Sequence, residues 1–242
     1  MNIKIWSDFV CPFCYIGKRR LEEALKQFPH REGVKIEFKS FELDPEAPKD
    51  TRMTEAEMLA KKYGVSVDEA KKMTAQVAKQ AETVGLTFHF ETMIPTNTFD
   101  AHRLAKYAKT KGKETDITEN LLYAHFTESK HIGDLETLMN IAHAVGLDPK
   151  EVKNVLYNAD EYANEVRADE NMARKIGVRG VPFFVINDKY AISGAQPTET
   201  FLKALEKAWE EEQSPDLQRL SEEEEAGSMC GEGQCEIPNK NE

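Results

Sequence analysis

Cys11-Pro12-Phe13-Cys14 stands between a short apolar strand and an amphipathic helix, and this position decides how the chain is interpreted. Pro12 falls at the first helical position, where its missing N–H has no cost. Cys11 therefore lies at a helix N-terminus. Free amides and the helix dipole stabilise a thiolate there, so we expect the pKa of Cys11 to lie below the usual value of about 8.5.

Two cysteines separated by two residues can close a small disulfide ring or bind a metal ion as thiolates. The position at a helix start favours redox chemistry, with Cys11 as an accessible nucleophile. Cys14 lies one turn further into the helix, so we expect it to be less exposed and to act as the resolving thiol. In that role it attacks the mixed disulfide at Cys11 and releases the substrate.

Composition and charge exclude some classes of function. The chain has 242 residues and a net charge of −11. Residues 209–242 carry eleven acidic and two basic side chains, so most of the charge belongs to a C-terminal tail. The remainder has no excess of basic residues to neutralise phosphates, which argues against nucleic acid as a partner. Because no signal peptide and no membrane-spanning stretch are visible, we expect a cytoplasmic protein.

The order of the elements predicts an α/β chain with a thioredoxin-like fold, a large α-helical insertion domain and a flexible C-terminal tail. Strand, helix and alternating strand form a βαβ unit within the first forty residues. Helical patterns fill residues 54–175 as roughly five or six helices, followed by one that returns to the first domain. Sheet signals resume at 181–187, and Asn187-Asp188 predicts a hairpin turn. The predicted segments are 1–45, thioredoxin-like, first part; 46–160, helical insertion; 161–212, thioredoxin-like, second part; and 213–242, the acidic tail with a second cysteine pair.

Val181 and Pro182 form a second signature, because a proline at the start of a strand in this register is a candidate for a cis peptide bond. The alternative is a trans proline that enters an edge strand. In thioredoxin-like folds such a proline faces the dithiol, and the residue before it presents backbone hydrogen bonds to an extended substrate. We therefore predict a cis bond, with Val181 and Pro182 as substrate-binding residues.

Four motifs spread over residues 6–182 carry a family resemblance. They are Trp6-Ser7-Asp8-Phe9-Val10-Cys11-Pro12-Phe13-Cys14, Phe41-Glu42-Leu43-Asp44-Pro45, Asn97-Thr98-Phe99-Asp100-Ala101-His102-Arg103 and Gly180-Val181-Pro182. With them the chain resembles the DsbA-like thioredoxin superfamily, and within it the FrnE-like cytosolic disulfide oxidoreductases. These are related to 2-hydroxychromene-2-carboxylate isomerases and kappa-class glutathione transferases. The resemblance implies that Phe13 and His102 line the substrate site, although a surface or capping role for His102 is an open alternative.

Cys230-Gly231-Glu232-Gly233-Gln234-Cys235 places a second cysteine pair in the tail. FrnE-like proteins resemble this chain in having such a pair, which implies that Cys230 and Cys235 exchange with the primary dithiol. A flexible linker of about seventeen residues would have a reach of roughly 20–25 Å, enough to return to Cys11. The alternatives are a zinc site that uses these thiolates and a tail without a redox role. We favour redox exchange.

Together these features predict a thiol–disulfide oxidoreductase that acts on protein disulfides and thiols. A cytosolic poise of about −220 to −320 mV favours reduction of clients, and oxidative stress would reverse the direction. We expect no resident cofactor and no metal, with glutathione as a possible co-substrate, and glutathione or a thioredoxin system as the electron donor. We expect a monomer or homodimer that binds neither nucleic acid nor membrane.

One alternative is a glutathione-dependent isomerase or transferase acting on an aromatic small molecule. Another is a metal-binding redox sensor. The related isomerases and kappa-class transferases typically carry serine at the first active position, and Cys11 in its place favours disulfide chemistry.

Phe13 predicts the redox poise of the dithiol. It stands where strongly oxidising DsbA proteins carry histidine, and without that polar donor the Cys11 thiolate should be less stabilised. We therefore expect a reduction potential between those of thioredoxin and DsbA, about −270 and −120 mV respectively. Equilibration with glutathione buffers measures it, and a potential as high as that of DsbA would refute this expectation.

Overall fold

A computed structural model describes residues 1–213 of the chain. The strands are β1 (Asn2–Ser7), β2 (Lys35–Ser40), β3 (Phe183–Ile186) and β4 (Tyr190–Ser193). The helices are α1 (Pro12–Gln27), α2 (Glu55–Tyr63), α3 (Val67–Glu82), α4 (Phe99–Thr110), α5 (Glu114–Phe126), α6 (Leu135–Ala144), α7 (Pro149–Tyr157), α8 (Ala163–Lys175) and α9 (Thr198–Gln213).

The four strands form one mixed sheet in the order β2-β1-β3-β4. Strand β1 pairs with β2 in parallel and with β3 antiparallel, and β3 and β4 form an antiparallel hairpin. Asn187 and Asp188 both have positive φ angles in the turn of that hairpin, as a two-residue turn of this type requires. The predicted βαβ unit, the hairpin and its turn are therefore confirmed.

Alternation along β1 gives the sheet two buried faces. Ile3 and Ile5 point to one side, where they pack in a cluster with residues of α1 and α9, including Leu21 and Phe201. Trp6 points to the other side, where it packs near Ala173 of α8 and donates its indole N–H to the Asp169 carbonyl at 3.0 Å. The first strand is thus buried from both sides, and the loop that follows it starts from a fixed position.

The helical insertion consists of α2 to α7, followed by α8, which returns to the sheet. This agrees with the number of helices expected from the sequence. The segment boundaries themselves stay a prediction. The insertion has its own buried core of α4, α5, α6 and α7 side chains, and this core also takes in Phe9, Tyr15 and Ile16 from the start of the first domain. The packing therefore joins the insertion directly to the segment that carries the cysteines.

Arg103 organises the interior of the insertion. Its guanidinium is buried and pairs with Asp100 at 2.7 Å. It also donates to main-chain carbonyls at and beyond the C-terminal end of α7, including Val155 at 2.5 Å and Asn158 at 2.9 Å. One side chain thereby satisfies several carbonyl groups that a helix end would otherwise leave unpaired. Asp100 pairs in addition with Lys49, in the segment between β2 and α2.

Helix α1 is held against α5 by a charged cluster at Glu119. The carboxylate of Glu119 accepts hydrogen bonds from Tyr15 at 2.5 Å, from Lys18 at 2.5 Å, and from Arg19. Burial raises the pKa of Glu119, but the hydrogen bonds from Arg19, Lys18 and Tyr15 outweigh it and hold the pKa at about 2. The cysteine-bearing helix and the insertion are therefore also joined by an ionised carboxylate.

The final helix ends the described part of the chain, and the predicted tail, with Cys230 and Cys235, lies outside the described residues. Among residues 1–213 no helix has both the length and the apolar character that crossing a membrane requires.

The Glu119 cluster should make folding stability depend on pH. Because the pKa of Glu119 is lower in the folded chain than the usual value near 4.5, its contribution is present above that value and is lost as the pH falls toward 2. We expect Glu119→Gln to lower the free energy of unfolding by about 1–2 kcal/mol at pH 7, after allowance for partial exposure. The deficit should shrink between about pH 4.5 and 2.

Urea unfolding at a series of pH values measures this difference. Glu23→Gln is the matched control, since Glu23 lies exposed on α1, the helix that Glu119 of α5 holds. A deficit for Glu119→Gln that is equal at pH 7 and pH 3 would show that packing, and not ionisation, joins the two helices.

Candidate active site

The two cysteines occupy the first turn of α1. Cys11 is the N-cap residue, and Pro12 takes the first helical position, as the sequence predicted. The Cys14 amide donates to the Cys11 carbonyl at 3.0 Å, and the Cys11 amide donates to the Asp8 carbonyl at 3.3 Å. These bonds fix both cysteines relative to the end of β1.

The Val181–Pro182 peptide bond is cis, which confirms the prediction. The Cys11 thiol donates a hydrogen bond to the Val181 carbonyl, with 3.5 Å between sulfur and oxygen. Helix α1 passes close behind the proline at Gly17, where a Cβ atom would lie only 3.1 Å from Pro182 Cγ. The fold thus brings together the two sequence signatures, although about 170 residues separate them.

Both thiols are free and enclosed. Cys11 and Cys14 are each only 3% exposed. The expectation that Cys11 is the accessible thiol of the two is therefore wrong for this structure, because its sulfur is directed at the Val181 carbonyl and not outward. A client disulfide can reach Cys11 only if this contact opens.

Cys14 lies in a site that disfavours its thiolate. Burial raises the pKa of Cys14 well above its usual value, and the adjacent Cys11 sulfur raises it further. The Ser7 side chain and the Asp8 amide act in the opposite direction by hydrogen bonding to the sulfur. The Asp8 N–H lies 3.5 Å from the Cys14 sulfur. A resolving reaction at Cys14 therefore depends on the residues that surround its sulfur.

The carboxylate of Asp8 is buried and accepts hydrogen bonds from three segments of the chain. Oδ1 accepts from the Phe9 amide at 2.8 Å, and Oδ2 accepts from the Leu43 amide at 2.8 Å. His102 Nε2 lies 3.2 Å from Oδ1. Asp8 thus ties the loop between β1 and α1 to the exit of β2 and to helix α4.

His102 lies in the interior, 3% exposed, with its ring 4.7 Å from that of Phe9. Glu42, also buried, pairs with Arg167 at 2.5 Å. Burial raises the pKa of Glu42, while Arg167 and the nearby His102 act to lower it. His102 therefore belongs to the charged interior beneath the dithiol. Its buried ring leaves little surface for contact with a client, in contrast to the role that the sequence suggested.

Phe13 is 38% exposed, and it directly precedes Cys14. Val181 is partly exposed, and its carbonyl contacts the Cys11 thiol. Of the residues proposed for substrate binding, these two present surface beside the dithiol, Pro182 lies behind them against Gly17, and His102 does not reach the surface.

Ser7, Asp8 and Glu42 belong to the sequence motifs described above, but no role was predicted for them. The sequence did contain one indication of a role, because polar residues stand at the ends of two adjacent strands. Ser7 and Asp8 lie at the end of β1, shortly before the cysteines, and Glu42 follows β2. Among residues 1–213 no group of three or more His, Cys, Asp or Glu side chains is placed to hold a metal ion. Cys230 and Cys235, which a zinc site could use, lie outside that range.

Comparison with known proteins gives the family: the chain belongs to the DSBA-like thioredoxin domain family, whose model matches residues 2–206. It is similar to the probable DsbA oxidoreductase SCO1869 from Streptomyces coelicolor, with 40% identity, 99% of this chain and 100% of that chain covered, and a TM-score of 0.84. It is 29% identical over 206 residues to the uncharacterized protein YwbO from Bacillus subtilis (strain 168), covering 85% of this chain and 96% of that protein. A 2-hydroxychromene-2-carboxylate isomerase shares the fold, with 15% identity, coverage of 88% and 98%, and a TM-score of 0.66.

The thioredoxin-like fold expected from the sequence is thereby confirmed, and the family is one of thiol–disulfide oxidoreductases.

The Asp8 contacts predict a large effect of a small substitution. Asp8→Asn keeps the shape of the side chain but replaces one acceptor oxygen with an NH2 group. That group then faces an N–H donor of the surrounding chain, with which it cannot form a hydrogen bond. Leaving such a buried group unsatisfied costs about 1–3 kcal/mol, so we expect the free energy of unfolding to fall by that amount. Asp44→Asn, at an exposed loop position, should change it by less than about 0.5 kcal/mol. Urea unfolding compares the two, and equal losses would contradict the role given to Asp8.

Proposed function

We propose that this member of the DSBA-like thioredoxin domain family exchanges disulfides with protein clients through Cys11 and Cys14, as an enzyme of the FrnE-like type. The observation that carries the proposal is the meeting of the helix-start Cys11 sulfur with the carbonyl of the cis-bonded Val181, 3.5 Å apart. This arrangement sets a sulfur nucleophile beside a main-chain group that can pair with an extended client.

In the reducing direction the Cys11 thiolate attacks a client disulfide, forms a mixed disulfide and displaces one client thiolate. Cys14 then loses its proton and attacks the Cys11 sulfur. The second client thiolate leaves, and the enzyme keeps a Cys11–Cys14 disulfide. Both client sulfurs are reduced, both enzyme sulfurs are oxidised, and solvent supplies the protons that the client thiolates take up.

Client binding in this proposal uses the groups next to Cys11. Val181 aligns the client backbone, Pro182 holds that loop against α1, and the exposed Phe13 ring contacts apolar client side chains. The contact between the Cys11 thiol and the Val181 carbonyl opens when the client arrives, because the client strand then uses the same carbonyl.

After each reaction the Cys11–Cys14 disulfide must be reduced again, and other thiols supply the electrons. Cys230 and Cys235 exchange with the primary dithiol, and glutathione or a thioredoxin-type system regenerates it. We place the reaction in the cytoplasm, where a poise of about −220 to −320 mV favours client reduction. Oxidative stress reverses the direction of exchange.

Reduction of insulin by the full chain in glutathione buffer tests the proposal. Cys11→Ser should lower the rate to the uncatalysed background, because no mixed disulfide forms. In the chain that carries Cys230→Ser and Cys235→Ser, and with glutathione omitted, Cys14→Ser should stop after one exchange and accumulate a covalent complex with insulin, visible by mass spectrometry. The same chain with both Cys11→Ser and Cys14→Ser is the matched control and should form no complex.

The isomerase alternative gives the opposite result. A glutathione-dependent isomerase needs no resolving thiol, so activity on an aromatic substrate would survive Cys14→Ser, and wild-type protein would bind one glutathione per chain. Insulin reduction at the background rate by the wild-type chain, together with such binding, would overturn the proposed function.

A further inference from the structure

A small cavity lies between β1, β2, α4 and α5, beside Ser7 at the end of β1. It offers about 10 Å³ for the centre of a water molecule, close to the space that one water needs. Ser7, His102 and Thr118 are among its lining residues, and Lys106 and Glu114 also border it. The cavity is therefore built jointly by the sheet and the helical insertion.

Thr118 marks this cavity as a polar site. Its side chain is about 1% exposed, and its hydroxyl has no hydrogen-bond partner within residues 1–213. A buried hydroxyl without a partner costs free energy, and the usual solution is a bound water that makes two to four hydrogen bonds. Ser7 connects the cavity to the dithiol, because it borders the cavity, its side chain favours the Cys14 thiolate, and the amide of the next residue, Asp8, lies 3.5 Å from the Cys14 sulfur.

We propose that this cavity binds one water, and that Ser7 and this water carry away the proton of Cys14 during the resolving step. The inference rests on the proposed function. The Cys14 thiol passes its proton to the Ser7 oxygen, and Ser7 passes its own hydroxyl proton to the water, which exchanges with bulk solvent. The Ser7 hydroxyl then donates to the new Cys14 thiolate. This thiolate attacks the Cys11 sulfur, and the client thiolate leaves with the electron pair of the broken S–S bond.

The reason for such a route is the position of Cys14. The sulfur is buried, its thiolate is disfavoured, and the Asp8 amide is the main-chain donor to it. Ser7 exchanges a proton with the reacting sulfur in this proposal and is therefore a catalytic residue. Thr118 acts through the water and is a positioning residue. It belongs to α5, so the insertion takes part in chemistry at the first domain's cysteines.

The reaction with 5,5′-dithiobis(2-nitrobenzoate) separates the two steps. The full chain carrying Cys230→Ser and Cys235→Ser is the parent, so that the tail cysteines do not react. Attack by Cys11 releases the first thionitrobenzoate in a bimolecular phase. Attack by Cys14 on the resulting mixed disulfide releases the second in a phase that does not depend on reagent concentration. Absorbance follows both phases.

We expect Ser7→Ala to slow the second phase at least tenfold and Thr118→Val to slow it several-fold, with the first phase changed less than twofold. Thr118→Ser keeps the hydroxyl and should behave as the parent does. Thr118→Val keeps the shape of the side chain and removes a hydroxyl that has no protein partner within residues 1–213, so it should not destabilise the fold. Second-phase rates within twofold of the parent in both Ser7→Ala and Thr118→Val would overturn the inference.

The pH profile of the second phase distinguishes a proton route from a packing defect. Without the water, the Cys14 thiolate loses hydrogen-bond donors that stabilise it. In Thr118→Val the pH at which the second-phase rate is half-maximal should therefore rise, while the maximal rate at high pH stays the same. A lower plateau with an unchanged midpoint would contradict the inference. The titratable and charged groups around Cys14 and the cavity are Cys11, Asp8, Lys39, Glu42, His102, Lys106, Glu114, His125 and Asp169. All of them are the same in parent and variant.

A failure of the proposed function gives a different result. If the parent releases a single thionitrobenzoate, or if Cys14→Ser in the parent releases two, then Cys14 does not resolve the mixed disulfide. If the parent releases two and Cys14→Ser one, the dithiol chemistry stands, and the variants at Ser7 and Thr118 alone decide whether the water route exists.

Discussion

The Asp8 carboxylate accepts N–H groups from the loop that leads to the cysteines, from the segment after β2 and from helix α4 of the insertion. It is buried, and a buried carboxylate without these donors would be strongly unfavourable. The three segments are therefore held in one arrangement, and the Asp8 amide is set 3.5 Å from the Cys14 sulfur. The position of the dithiol relative to the rest of the molecule follows from this constraint.

The insertion contributes to the site as well as to the size of the molecule. It supplies His102 against Asp8, the Glu119 carboxylate that holds α1, and the Thr118 hydroxyl in the cavity that Ser7 also borders. Its core includes Phe9 and Tyr15, which flank the cysteines in sequence. A thioredoxin-like sheet with the cysteine-bearing helix alone would lack these contacts, so the environment of Cys14 is a product of both parts of the chain.

Much of this architecture was predictable from the sequence because its signals are local. Pro12 indicates a helix start, alternation indicates β1 and β2, and Val181-Pro182 at a strand start indicates the cis bond. The burial of Cys11 was not predictable, because it depends on a carbonyl about 170 residues away. The role of His102 was misjudged for the same reason: a histidine near a helix start has the same local pattern whether it faces solvent or a buried carboxylate. The roles of Ser7 and Thr118 depend on a cavity between four elements, which no spacing of residues encodes.

The most direct test of disulfide exchange through Cys11 and Cys14 is the fate of both sulfurs after one encounter with a client. Reduced full chain with Cys230→Ser and Cys235→Ser is mixed with an equimolar protein that contains one accessible disulfide, quenched with acid and digested, and the peptides are identified by mass. We expect a Cys11–Cys14 linked peptide and two new client thiols for each chain converted. Client thiols without that linked peptide, or Cys11 persisting in a mixed disulfide beside a free Cys14, would contradict it.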